Sequence, residues 1–404
     1  MRHILIIGGG FGGVWAAAAA VRQRRVHGIP ASQLRVTLVD AGDDLVIRPR
    51  LYETDPARMR IPLDRILGPI GVHRVAATVT SIDAAAQRVS VLERPGRPAQ
   101  LPYDRLVLAS GSRLVPPRLP GAQHLFNVDT LPAAATLHRH LHRLTDQPDT
   151  DGRFTAVVVG AGFTGLELAC ELTERLRAVA APVRAAAQVR VVLVERGTTI
   201  GRQLGDGARP HIQRALDELG IQVHVGAALT AATPAAVQLS DGTTIPTRTT
   251  VWTAGMTASP LTAHIPSTRD HLGRLHVDDF LQVTGVPDVY AAGDTAAAHA
   301  EHGHPVTQSC QHAIPLGQTA GRNAAADLLA LPPIPFTPAP YVTCLDLGPA
   351  GAVFTTGFDR TVRLTGPAAK TIKRTINTTL IYPPVDDAHT ILNHADPTTR
   401  PIPT

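Results

Sequence analysis

The sequence is poor in cysteine, lysine and aromatic residues. Its three cysteines, Cys170, Cys310 and Cys344, stand far apart and form no C-x-x-C pair. A redox dithiol or a zinc site on linked cysteines therefore has no support. An odd cysteine count, and an N-terminus (Met1 to Gly13) that runs directly into a strand and a glycine turn, point to a reducing compartment without a cleavable leader. No run of 18 apolar residues occurs, so no transmembrane helix is expected. Lysine occurs only at 370 and 373; the rest of the positive charge is scattered arginine, and no basic stripe is interleaved with aromatics. Nucleic acid is accordingly not an expected partner, despite a net charge of +5. With 18% charged residues, charge-driven disorder is excluded over most of the chain. The 44% hydrophobic content is ample for packed cores, and 404 residues suggest two to three domains.

What the chain does have is an internal repeat. Residues 3–13 read H-I-L-I-I-G-G-G-F-G-G, and residues 155–165 read T-A-V-V-V-G-A-G-F-T-G. Each copy is an apolar run, a G-x-G-x-x-G turn, a helical stretch and a second apolar run closed by an acid, Asp40 or Glu195. Continuous apolar strands suit a parallel sheet buried on both faces. Gly8 and Gly160 allow the tight turn, Gly10 and Gly162 let a pyrophosphate approach the backbone, and Gly13 and Gly165 let helix pack on strand. Phe11 and Gly12 complete the first loop. The free N–H groups of the following helix would hold phosphates, and the acid would bind an adenosine ribose. The spacing from last glycine to acid exceeds the usual value of roughly 20 residues in both copies, which leaves room for an extension. A glycine-rich loop that binds nothing is the bland alternative. Two such folds imply electron transfer between two dinucleotides, a nicotinamide giving hydride and a flavin accepting it.

Between the copies, Val75–Leu92 alternates as a half-exposed antiparallel pair would. Tyr103 to Ser112 reads as a buried strand ending in small residues, and Pro116, Pro117 and Pro120 as a linker. Val237–Ile245 reads as a hairpin around Asp241-Gly242. Val251 to Gly255 and Val289 to Asp294 are further strands ending in glycine. Proline density over 331–340 marks a boundary, and the tail from Asp386 is expected to be poorly ordered at its end. Ala368–Tyr382, with Ile372, Ile376 and Leu380 at spacing four, reads as a basic amphipathic helix, for a membrane surface or for packing on the flavin domain or a second subunit.

The stretches I-I-G-G-G-F-G-G, Y-D-R-L-V-L-A-S-G-S, V-V-V-G-A-G-F-T-G-L-E-L-A, V-W-T-A-G and D-V-Y-A-A-G-D-T-A together resemble the two-dinucleotide-binding-domain flavoproteins, within them the type II NADH dehydrogenase-like group. The resemblance covers about residues 3–325. It implies an α/β fold with two Rossmann-like domains, one for FAD (1–118 and 270–330) and one for NAD(P)H (119–269), followed by a C-terminal interface or substrate-side segment (331–404). It implies that Asp40 and the first loop hold the FAD adenosine half, that Ser110 and Gly111 line the FAD path, and that Gly293-Asp294 meets its ribityl or pyrophosphate part. It places Gly255 beside NADH, Glu167 near nicotinamide and flavin, and Ala313 at the opening of a helix aimed at the flavin pyrimidine. Simple charge complementarity at a helix N-terminus is the bland reading of Glu167.

One departure stands out. The resemblance calls for two glutamines one helical turn apart beside a quinone, and this chain has Gln311 at the first place and Pro315 at the second. Gln311 reads equally as an ordinary loop or cap residue. His299, Glu301, His302 and His304 read as a surface loop, and no metal is expected. Arg48 and Tyr52 read as packing or as substrate contacts. The expectation is a cytoplasmic FAD-dependent enzyme taking hydride from NADH, with NADPH, peripheral contact with the inner face of the membrane and a homodimer left open. Its acceptor would be a quinone or quinone-like aromatic. The alternatives are a pathway-specific flavin oxidase or reductase of a small metabolite, and a redox-sensing binding protein.

Overall fold

The computed structural model describes residues 1–398, and in it both glycine loops lie at the ends of central parallel strands. The larger sheet has the order Val289–Ala291, Arg105–Leu108, Arg2–Ile7, Leu34–Asp40, His73–Asp83, Arg88–Glu93, Arg97–Pro102. Its first five strands are parallel and the last two continue antiparallel. Ile4, Leu5 and Ile6 are fully buried, as a strand covered on both faces requires. The alternating stretch from Val75 onward forms the antiparallel pair its pattern predicts, with Ala77, Val89 and Val91 inside.

The second sheet is all parallel, in the order Gln222–Val225, Arg190–Glu195, Thr155–Val159, Thr249–Trp252. Beside it, Leu229–Ala232, Ala236–Leu239 and Thr244–Pro246 make a small antiparallel sheet. Its turn is held by the Asp241 carboxylate, which accepts from the Thr243 N–H at 2.9 Å, with Gly242 at φ +88. Chain passes twice between the two halves, and the passing strands Ser112–Leu114 and Met256–Ala258 pair with each other. The linker read at Pro116 to Pro120 follows directly on this pairing.

The helix Phe11–Val26 is buried along most of its length by its alanines. The helix Cys310–Leu328 lies directly against it. A Cβ at Gly317 would come within 2.2 Å of the Gly12 carbonyl oxygen, and one at Gly321 within 2.0 Å of that of Ala16. Two glycines four residues apart thus let two backbones touch. This helix begins at Cys310, three residues before Ala313, and Ser309 caps it by accepting from the His312 N–H. Pro315 lies inside it, leaving the Gln311 carbonyl without its usual donor.

The proline-dense stretch 331–340 leads to an antiparallel sheet of Val342–Asp346, Ala352–Thr356 and Thr361–Thr365. Helix Gly366–Thr375 follows and continues as a wide turn, Ile376–Leu380. The apolar periodicity singled out Ile372, Ile376 and Leu380, but the most buried ladder is Ala369, Lys373 and Asn377. Polar partners beneath the helix, described below, override the pattern. The last helix, Ala388–His394, packs on Phe11–Val26, and Arg22–Asp396 and Arg65–Asp386 ion pairs fasten the segment around it. The end of the tail, expected to be poorly ordered, lies beyond 398 and outside the described residues.

Candidate functional site

The first loop is built by sterics around three glycines. Gly8 has φ +110, and a Cβ there would lie 2.4 Å from the Ala109 carbonyl oxygen. A Cβ on Gly13 would lie 1.8 Å from the Gly8 carbonyl oxygen, while one on Gly10 would meet nothing within 4 Å. Two glycines are thus required by the protein itself, and the middle one opens onto free space. Asp40 is fixed by its own chain: one carboxylate oxygen accepts from the Gly9 N–H and the other from the Gly42 N–H, both at 2.6 Å.

The strand ends converge here. Gly12 faces Gly293, whose missing side chain faces Ala313. Ser110 lies beside Gly8, and its buried hydroxyl has no partner among the described residues. Gly111 has φ +70, and its carbonyl accepts from the Ser259 N–H. The Ser112 hydroxyl donates to the Asp294 carboxylate, and Arg48 donates to the Ser112 hydroxyl at 2.9 Å and to Asp129. Burial pushes the Asp294 carboxyl above the usual carboxylate range, against the pull of Ser112 and Arg48. Arg48 therefore belongs to a polar cluster under the loop.

The second loop repeats the first. Gly160 has φ +106, a Cβ on Gly165 would lie 1.7 Å from the Gly160 carbonyl oxygen, and Gly162 faces only Gln203, at 3.8 Å. Glu195 accepts from the Ala161 N–H at 2.8 Å and the Gly197 N–H at 2.7 Å. Gly255, at φ +82, lies where the chain leaves this sheet, against Val115.

Glu167 is paired with the C-terminal segment. Its carboxylate accepts from Lys373 Nζ at 2.7 Å and from the Asp346 N–H at 3.0 Å. Lys370 pairs with Asp346, the Tyr52 hydroxyl donates to Asp346 at 3.2 Å, and Asn377 donates to Glu53 at 3.0 Å. Burial raises the Glu167 carboxyl above its ordinary value, with Lys373 opposing. Burial works to lower Lys373, yet the facing Glu167 carboxylate holds it above its ordinary value. The two lysines of the chain are both spent on this buried network. No local motif marks Lys370, Lys373 or Asp346 as partners of Glu167; the rarity of lysine is the one signal the sequence carries.

Gln311 is also tied down: with its amide turned, the nitrogen donates to the Val342 carbonyl at 2.7 Å and the oxygen accepts from the Val342 N–H at 3.2 Å. Burial pushes the thiols up, Cys310 to about 11 and Cys344 to about 12, with Cys170 higher still. In the histidine loop, Glu301 accepts from the Tyr341 N–H and His304 stacks on Phe358, with ring centroids 4.5 Å apart. Among the described residues no group of three or more His, Cys, Asp and Glu side chains is arranged to hold a metal, and no helix is long and apolar enough to cross a membrane.

Two sheets, each with parallel central strands, a glycine turn, a helix N-terminus and an acid, define a protein that binds two dinucleotides. Residues 2–323 match the family model described as pyridine nucleotide-disulphide oxidoreductase, and the chain belongs to that family. It is 45% identical, over an alignment of 405 positions that covers 100% of both chains, to an NADH dehydrogenase-like protein of Mycobacterium tuberculosis. It is 30% identical to the demethylphylloquinone reductase of Synechocystis, over 93% of this chain and 91% of that one. The structure of NDH2 from Plasmodium falciparum, in complex with NADH, superposes with a TM-score of 0.78, covering 98% and 96% of the chains at 13% identity. The α/β fold with two Rossmann-like units is common to both.

The chain is an FAD-dependent oxidoreductase of pyridine nucleotides. Its first loop fits the flavin dinucleotide: Gly10 opens onto free space, the Ser110 hydroxyl is an orphaned buried donor, and Asp40 is held at the strand end.

Proposed function

We propose that the enzyme passes electrons from NADH to a quinone. The observation that carries this reading is the buried pair between Glu167, on the helix that follows the nicotinamide loop, and Lys373, on the C-terminal helix. Reducing a quinone by two electrons also requires two protons, and a carboxyl raised by burial is a group that can hold one and hand it on. The raised Glu167 carboxyl and Lys373 ammonium make a proton-holding pair shielded from water. The thiols are held protonated and all three are free, so an internal disulfide is not the preferred electron store. The likeness to a demethylphylloquinone reductase supports an aromatic quinone of the naphthoquinone type.

When bound, FAD supplies the ring that accepts hydride and releases electrons onward. The first loop would hold its pyrophosphate with the N–H groups of Phe11–Val26, and Asp40 its ribose, with Ser110, Gly111, Gly293 and Asp294 along the rest. The second loop would do the same for NADH, with Gly255 beside it. Glu195, its carboxylate pinned by two N–H groups, would repel the extra phosphate of NADPH and so favour NADH. Both lysines turn inward, which removes the charge that a basic membrane-docking face would use, so this helix reads as packing on the rest of the chain.

A second reading is favoured by Gln311 and Pro315. One amide is engaged by Val342 and the other is absent, so the polar pair expected beside a quinone is missing. A reductase of another aromatic metabolite would need neither. Both readings meet in one experiment. The FAD-loaded protein is bleached anaerobically with NADH, then mixed with a short-chain naphthoquinone, with oxygen or with other aromatic acceptors. Re-oxidation fastest with the naphthoquinone is expected; if the quinone is no faster than oxygen, the quinone assignment fails.

A further inference from the structure

Arg360 is 9% exposed, yet among the described residues its Nη1 has no hydrogen-bond partner and no ion pair includes it. Burying an unpaired guanidinium is costly, so such a group calls for an anion. It lies at the turn between strands Ala352–Thr356 and Thr361–Thr365 with φ +60, a left-handed conformation in which glycine would be relaxed and arginine is strained. The guanidinium lies over Tyr341, 4.4 Å from the ring centroid, and faces Phe163 at 6.0 Å. Phe163 is the first residue of the helix that opens on the second glycine loop, directly after Gly162. That helix has no basic residue in its first turn, and neither has the loop. The other wall is Gly205, where a Cβ would come within 2.8 Å of the Arg360 Cβ.

We propose that Arg360 is an arm from the C-terminal sheet that reaches the nicotinamide loop and binds a pyrophosphate oxygen of NADH. It supplies the positive charge that the loop lacks and joins the C-terminal segment to dinucleotide binding. The aromatic faces of Tyr341 and Phe163 hold the guanidinium by cation–π attraction in the absence of the anion. The proposal rests on the NADH reading above.

The test uses FAD-loaded protein and ADP-ribose, which carries the pyrophosphate but no nicotinamide. Arg360→Gly removes the guanidinium while relaxing the turn, so the variant keeps its flavin absorbance and melting temperature. Its dissociation constant for ADP-ribose, measured by calorimetry, should rise about 10- to 100-fold, the range for a charge-assisted contact. Arg360→Lys should recover part of the loss. The KM for NADH should rise while the KM for the acceptor stays constant. Equal ADP-ribose affinity in wild type and Arg360→Gly overturns the proposal, as does a rise confined to the acceptor KM, which would assign the arm to the acceptor. Failure of the wild type to bind either NADH or ADP-ribose would instead overturn the NADH reading itself.

Discussion

The two glycine loops are nearly the same object in backbone and different objects in surroundings. Their cap residues, Gly10 at φ −79, ψ −173 and Gly162 at φ −83, ψ −170, are superposable, and each acid grips one N–H on either side of it. Two residues past the last glycine they part. The first helix has Trp15, 5% exposed, its indole N–H buried without a partner, in a wall of alanine. The second has Glu167, paired with Lys373 beneath the C-terminal segment. The first helix is thus sealed by close packing on Gly317 and Gly321, and the second is wired to charged groups. Phosphate binding needs only the shared backbone; the chemistry that separates the two sites comes from what covers each helix.

The strongest way to break the likeness is to fill the last glycine of each loop. Gly13→Ala should purify without flavin colour, because the new methyl collides with the Gly8 carbonyl. Gly165→Ala should purify yellow yet need at least about 100-fold more NADH to bleach. If both variants keep full NADH-dependent bleaching, the two loops are not the two dinucleotide sites.

The charged helix can be tested through Lys373→Met. Leaving Glu167 buried and unpaired should cost about 3–5 kcal/mol in urea unfolding at pH 8. Without Lys373 the Glu167 carboxyl titrates further above its unfolded value, so the folded state binds the extra proton. The deficit then grows as pH rises and shrinks toward pH 5. Adding Glu167→Gln should recover most of it; a pH-independent loss would mean that the lysine acts by packing alone.

His312, next to Gln311, sharpens the other side of the comparison. It is buried in the helix that seals the first loop, and burial pushes its imidazole down to about 4. The unfolded chain takes up the proton near the ordinary value of about 6.5. Stability contributed by this residue is therefore complete above that value and falls as pH drops toward about 4, by roughly 3 kcal/mol. His312→Gln should flatten this part of the stability–pH curve. An unchanged curve would show that the imidazole is not held neutral.

The smallest structural effect is expected at the middle glycines. Gly10→Ala and Gly162→Ala place a methyl in free space, so melting should shift by no more than about 2 °C while FAD or NADH affinity, respectively, falls about tenfold. A large loss of melting temperature in either would mean that the loop, and not the ligand, needs that glycine.

Much of this was legible in the chain itself because it is local. The tight turn at Gly8, the approach at Gly10, the acid at Asp40 and the duplicate at Gly160 to Glu195 depend on residues within one strand–turn–helix–strand unit, so spacing and residue type suffice. The antiparallel stretch after Val75 and the hairpin at Asp241-Gly242 were readable for the same reason. The helix Gly366–Thr375 was not: its apolar spacing pointed to Ile372, Ile376 and Leu380, while the most buried ladder is Ala369, Lys373 and Asn377. Nothing near Lys373 in sequence says that Glu167 lies beneath it, or that Asp346 receives Lys370. Arg360 likewise looks like one arginine among many until the fold brings it to Phe163 and leaves it without a carboxylate. Backbone geometry and phosphate binding are short-range and were written in the motifs; the pairing of buried charges is long-range, and only the folded chain decided which charges meet.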